Sequence, residues 1–176
     1  LYTAFGEGGT AVLIKVSSFS LRQRPAVTIP FATASSLAID REGSVYLAGT
    51  ATAGFPATDG AYRSRLAENC YGPGATCKDG FVAKYRFDGR LEYATYTGTA
   101  GYVSQVAIDS RGAAWMTGSV ELQGAGSSGF IAKLDANGAA RPFYTIFGRG
   151  GLAFRNPTLG IGRGIAVDSR EAAYVV

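Results

Sequence analysis

Apolar and polar positions in this chain alternate in short runs of strand length, and the runs return in a fixed order. AIDREGSVYLAG, from Ala38 to Gly49, comes back as AIDSRGAAWMTG from Ala107 to Gly118 and as AVDSREAAYVV from Ala166 to Val176. KDGFVAKYRFDGRLEYATYTG (Lys78 to Gly98) follows the first copy, and SGFIAKLDANGAARPFYTIFG (Ser128 to Gly148) follows the second. A unit that repeats in this way buries its apolar face against its neighbours, so the pattern predicts an array. The clearest unit predicts four strands: Ser104 to Asp109, Ala113 to Val120 around Trp115, Gly129 to Asp135 and Pro142 to Phe147, each rich in β-branched and aromatic residues. Nothing in the chain has the period of a long amphipathic helix, so the expected class is all-β.

Turn chemistry separates the predicted strands. Asp40-Arg-Glu-Gly43, Asp109-Ser-Arg-Gly112, Phe87-Asp-Gly89 and Ala136-Asn-Gly138 each set Asp or Asn close to Gly. Glycine reaches positive φ without a Cβ clash, and Asp or Asn bonds its own backbone, so the chain reverses within a few residues. The last copy departs from this, with Glu171 in the glycine position. Spacing locates the variation: Ala38 to Ala107 spans 69 positions (107 − 38) and Ala107 to Ala166 spans 59 (166 − 107). Lys15 to Ala38 and Lys84 to Ala107 are both 23 (38 − 15 and 107 − 84), which identifies the first unit by its third and fourth strands. The excess length lies in the connections 51–79 and 149–163, and insertions on a repeat scaffold usually collect on one face, where binding resides.

AIDREGSVYLAGTATAGFPATDGAYRS followed by DGFVAKYRFDGRLEYATYTGTAG resembles the bacterial SBBP (seven-bladed β-propeller) repeat. The matching positions are Asp40, Gly43, Tyr46, Gly49, Thr50, Phe55, Pro56, Asp79, Phe81, Val82, Lys84, Tyr93, Thr95, Tyr96 and Gly98, and the third-strand part recurs as Phe130, Ile131 and Lys133. The unit around Trp115 lacks the Phe-Pro segment. The resemblance implies a β-propeller of four-stranded antiparallel blades, with units at about 1–36, 37–103, 104–163 and the start of another at 164–176. It further implies a secreted or cell-envelope protein. A propeller ring needs roughly four to eight blades, and the spacing here provides about three. The remaining blades of the same protein, or another protein subunit, are therefore the expected partners of the terminal strands. Leu37–Ile39, Val106–Ile108 and Ile165–Val167 are expected as innermost strands, with Tyr46, Trp115 and Tyr174 on the strands beside them.

Composition narrows the chemistry. The chain has no histidine, so the usual general base, triad member and metal ligand are missing. Asp40, Asp109 and Asp168 recur at one position, which fits either a ring of ligating or acid–base carboxylates or, as favoured here, caps on the backbone N–H groups of each turn. Lys15, Lys84 and Lys133 are expected to lay their stems over the sheets. The glycine clusters 148–151 and 160–164 lack Walker spacing and are read as inter-blade connections. No catalytic, cofactor or metal residue is assigned, and no enzyme activity is expected.

Net charge is +4, and Arg149, Arg155 and Arg163 form a candidate surface patch, but no aromatic-interleaved basic motif points to nucleic acid. No apolar run approaches the ~20 residues of a membrane helix, so this segment is not expected to insert. Phe55, Tyr62 and Tyr71 are candidate surface contacts, although packing of the long connection over its own blade is the favoured reading. Cys70 and Cys77 flank a Pro-Gly turn in ENCYGPGATCKDG, which suits a disulfide better than two free thiols or a zinc site, and such bonds persist in oxidising compartments. The function expected is a non-catalytic scaffold for protein–protein interaction. The alternative is a carbohydrate-binding or carbohydrate-processing propeller, in which loop aromatics stack on sugars.

Overall fold

The computed structural model describes residues 2–7, 9–15, 27–66, 77–122, 126–148 and 161–176. Among them lie thirteen strands and no helix: β1 (Tyr2–Glu7), β2 (Thr10–Lys15), β3 (Val27–Pro30), β4 (Ala32–Ile39), β5 (Val45–Ala51), β6 (Asp79–Tyr85), β7 (Leu91–Tyr96), β8 (Gly101–Ile108), β9 (Ala114–Leu122), β10 (Gly126–Leu134), β11 (Phe143–Phe147), β12 (Ile165–Val167) and β13 (Ala173–Val175). They form antiparallel sheets in the orders β1-β2-β3, β4-β5-β6-β7, β8-β9-β10-β11 and β12-β13. The chain is thus a partial β-propeller, with two full four-stranded blades between a three-stranded and a two-stranded sheet. Below, these sheets are the first to fourth blades.

β4, β8 and β12 are the first strands of their blades, and β8 packs on both β4 and β12. The short apolar segments ending at Ile39, Ile108 and Val167 therefore run beside one another, with Tyr46, Trp115 and Tyr174 on the next strands. β4 and β8 start earlier than their apolar runs, because each carries a register shift, between Ala34 and Ser36 and between Val103 and Gln105. Opposite each shift stands the repeat glycine. A Cβ on Gly49 would collide with the Thr33 carbonyl, and one on Gly118 with the Tyr102 carbonyl, so the close backbone approach requires Gly at both.

Burial is deepest in the middle strands. β5 and β6 are buried on both faces, since one face meets the first blade and the other meets the third. Leu13 and Ile29 of the first blade pack with Leu47, Phe81, Ala83 and Tyr96. On the opposite face Tyr46, Ala48, Val82 and Tyr93 pack with Val106, Met116 and Phe130. Burial of each large apolar side chain is worth about 1.5–3 kcal/mol, so these inter-blade layers stabilise the stack. The first strands contribute less: Val106 and Ile165 are buried, but Ile39 is 47% exposed, because an edge strand is covered by its own sheet on one side only.

Alternating strand direction sorts the connections. The β4–β5, β6–β7, β8–β9 and β10–β11 turns lie at one end of the strands. The strands that flank the two long connections, β5 and β6 and then β11 and β12, leave and re-enter at the other, together with the crossover 97–100.

Candidate functional site

The recurring motif builds one device three times. Asp40 Oδ1 accepts the Ser44 N–H at 2.7 Å; Asp109 Oδ1 accepts those of Arg111 (2.9 Å) and Ala113 (3.0 Å); Asp168 Oδ1 accepts those of Arg170 (2.8 Å) and Ala172 (2.9 Å). The cap expected from sequence is present in every copy. The second oxygen takes the aromatic six residues on: Tyr46 hydroxyl at 3.2 Å, Trp115 Nε1 at 3.1 Å and Tyr174 hydroxyl at 3.1 Å. Hairpin pairing brings these residues together, since the turn places the strand entering it beside the strand leaving it. Each carboxylate is thus occupied by its own turn, and among the described residues no three of Asp, Glu, Cys or His gather as a metal site.

A row of side chains crosses each blade from the clamped aromatic. Tyr46 pairs across β5–β6 with Lys84, and Lys84 across β6–β7 with Tyr93. In the third blade Trp115 pairs with Lys133, and Lys133 with Phe143. The ammonium lies over the aromatic face in both, at 5.3 Å from the Tyr46 ring centre and 4.8 Å from that of Trp115. The expected snorkelling of these lysines therefore ends in ion pairs: Lys84 with Glu92 at 3.0 Å, and Lys133 with Asp109 at 2.8 Å.

These rows face the following blade and are joined to it. The Tyr46 hydroxyl also lies 3.0 Å from the Gly112 carbonyl of the third blade's turn. Burial first, then the neighbouring Tyr93 and Asp40, holds the Tyr46 phenol well above its usual range, so it stays a donor. The Tyr93 ring occupies the space a Cβ on Gly138 would need. At the inner strands, Ser36 Oγ accepts the Val106 N–H at 3.1 Å, and Gln105 Oε1 accepts the Ile165 N–H at 2.7 Å. Ser36 and Gln105 are equivalent positions, so one side chain per repeat secures the next first strand.

At the opposite end, buried Asp79 accepts the N–H groups of Gly98 (3.1 Å), Thr99 (2.8 Å) and Ala100 (3.2 Å), holding the crossover from the second blade to the third. Burial raises its pKa, and the Thr99, Gly80 and Ala100 bonds only partly offset that. Arg141, a position without a motif in the sequence, donates to the Thr97 carbonyl at 2.9 Å and stacks between Tyr62 (5.2 Å) and Tyr144 (4.2 Å). Between the turns of the second and third blades lies a cleft of about 470 Å³, lined by Asp40, Glu42, Arg86, Phe87, Glu92 and Arg111 among others. Phe87 at its edge is 67% exposed.

The sequence-derived contact residues separate. Phe55 is corrected from surface contact to core: it is 5% exposed and packs between Phe81 (5.0 Å) and Tyr96 (5.1 Å), because the connection folds back over its own blade. Tyr62 is half-buried, and its N–H donates to Gly138 at 2.7 Å, which ties the connection to the third blade. Arg163 is exposed. Tyr71, Arg149, Arg155 and Cys70 lie outside the described residues, and with Cys70 so does the Cys70–Cys77 pairing. The sequence pattern assigns none of these roles to Asp79, Arg141, Ser36 or Gln105; its signals are the place of Asp79 in the repeat motif and the equal offset of Ser36 and Gln105 from the repeated Ala-Ile-Asp. Compared with protein-family models and with curated proteins, the chain matches none.

Proposed function

We propose that this chain is a segment of an SBBP-type β-propeller that acts as a non-catalytic scaffold for protein–protein interaction. One observation carries the reading: the recurring polar positions are engaged by the fold itself, in capping each turn and in joining one blade to the next. Asp40 caps its own turn and holds Tyr46, whose hydroxyl reaches the Gly112 carbonyl, while Ser36 and Gln105 hold the next first strand. What varies from unit to unit is the set of connections, and the two longest leave and rejoin the sheets at one end of the strands. A rigid stack with its variation on one face is suited to presenting a contact surface. The partners proposed are further blades of the same protein or another subunit, in a secreted or cell-envelope setting, with Cys70 and Cys77 joined by a disulfide. Burial of Phe55 removes one of the three loop aromatics from the carbohydrate alternative.

The test is cross-linking mass spectrometry of the native protein in its producing cells, reading cross-links from exposed Lys78 in the long connection. Cross-links to another polypeptide are expected. Their absence, combined with retention of the protein on a polysaccharide matrix, overturns the scaffold reading in favour of the glycan one. Thiol labelling without reductant checks the compartment: modification of both cysteines removes the argument for an oxidising one.

A further inference from the structure

Glu171 stands where the two preceding turns have Gly43 and Gly112, and it keeps the same left-handed backbone, with φ of 64° against 82° and 79°. A non-glycine residue there carries a steric cost, so the side chain has to offset it. Its carboxylate reaches back to the third blade. Oε1 lies 2.8 Å from Arg111 Nε in the β8–β9 turn, and Oε2 lies 3.6 Å from Lys133 Nζ on β10. Lys133 in turn contacts Asp109 Oδ2 at 2.8 Å, and the Lys133 side chain is only 18% exposed and that of Asp109 0%.

Among the described residues, other contacts also tie β12–β13 to the third blade. Gly162 N–H donates to the Gly118 carbonyl at 3.1 Å and Ile165 N–H to Gln105 Oε1 at 2.7 Å, and Ile165 is the buried hydrophobic side chain of the two strands. The junction of the second and third blades is the reverse: Tyr46, Val82, Tyr93, Met116 and Phe130 close an apolar layer there, and no ion pair among the described residues crosses it.

We propose that Glu171, Arg111, Lys133 and Asp109 form an ionic latch that docks the β12–β13 hairpin on the third blade, making this junction releasable by salt while its neighbour is not. Exposed and half-exposed ion pairs weaken as the screening length falls from about 10 Å at 0.1 M to about 3 Å at 1 M salt, whereas an apolar layer does not. The latch is a property of the fold and stands apart from the scaffold reading, which concerns what the protein binds.

Hydrogen–deuterium exchange of the whole chain at 0.05 and 1 M NaCl tests it, comparing peptides over 165–175 with peptides over 101–108. Exchange over 165–175 is expected to rise by on the order of fivefold at high salt, with 101–108 unchanged. Glu171→Gln is expected to exchange fast at both salt concentrations. Trp115, the sole tryptophan, lies under Lys133, so its fluorescence reports the same opening. Salt-independent exchange over 165–175, or a hairpin unprotected even at low salt, overturns the proposal. Glu171→Gly separates strain from charge: if it is as well protected as the natural chain and equally salt-responsive, the ion pairs of Glu171 are not the latch.

Discussion

In the second blade Tyr46 and Tyr93 are 0% and 3% exposed; at the same positions of the third, Trp115 is half-buried and Phe143 is 42% exposed. The strand pairing is the same, and so is the lysine between each aromatic pair. The difference lies in the roof. The second blade's row is covered by the turns at Gly112 and Gly138, while the third's meets the Glu171 turn. A second contrast sits at the other end of the strands, where Asp79 holds three N–H groups of a crossover and its counterpart Ser128 is buried with no partner for its Oγ among the described residues. The same local pattern thus acquires different energetics from whatever packs on it.

The strongest way to break this comparison is to truncate the two aromatics. Tyr46→Ala is expected to cost about 3–5 kcal/mol, losing a fully buried ring and its bond to Gly112, whereas Trp115→Ala is expected to cost roughly half as much because the ring is only partly covered. Urea unfolding of both variants checks this, and equal losses would mean that the roof is energetically irrelevant. Asp79→Ala comes next, at about 2–3 kcal/mol, since it leaves three amides without their acceptor. Ser128→Ala is expected to be neutral or slightly stabilising, because it deletes an unsatisfied buried hydroxyl.

Acid separates the two buried carboxylates by sign. Burial alone would raise the Asp109 pKa, but Lys133, the Ala113 N–H, Trp115 and the Arg111 N–H outweigh it and hold it below the ordinary Asp value. Its contribution is therefore complete above the unfolded pKa near 4 and is lost as pH falls through the lower folded value. Asp79 is raised instead, so the folded state binds its proton first and this group favours the fold as the solution is acidified. Urea midpoints measured between pH 3 and 7 should fall less steeply toward acid in Asp109→Asn than in the natural chain. They should fall more steeply in Asp79→Asn. The smallest effect is at the turns: Gly43→Ala, at φ 82° with only ordinary contact to Phe87, is expected to cost about 1 kcal/mol from backbone strain alone, read as a shift in urea midpoint.

The sequence by itself determined the all-β class, the four-strand unit and the caps at Asp40, Asp109 and Asp168. These depend on alternation and on φ preferences over a few residues, and every copy states them again. It also showed the aromatic six positions after each Asp, although the bond between them emerges only when the hairpin pairs. The tertiary structure alone decided that Phe55 lies inside, that Asp79 grips residues about twenty positions away and that Arg141 stacks on Tyr62 from another blade. Those outcomes depend on which sheet lies over which. A repeat reads alike in every copy, but its surroundings do not, because each blade buries its neighbour's face and takes its own solvent exposure and charge partners from the next.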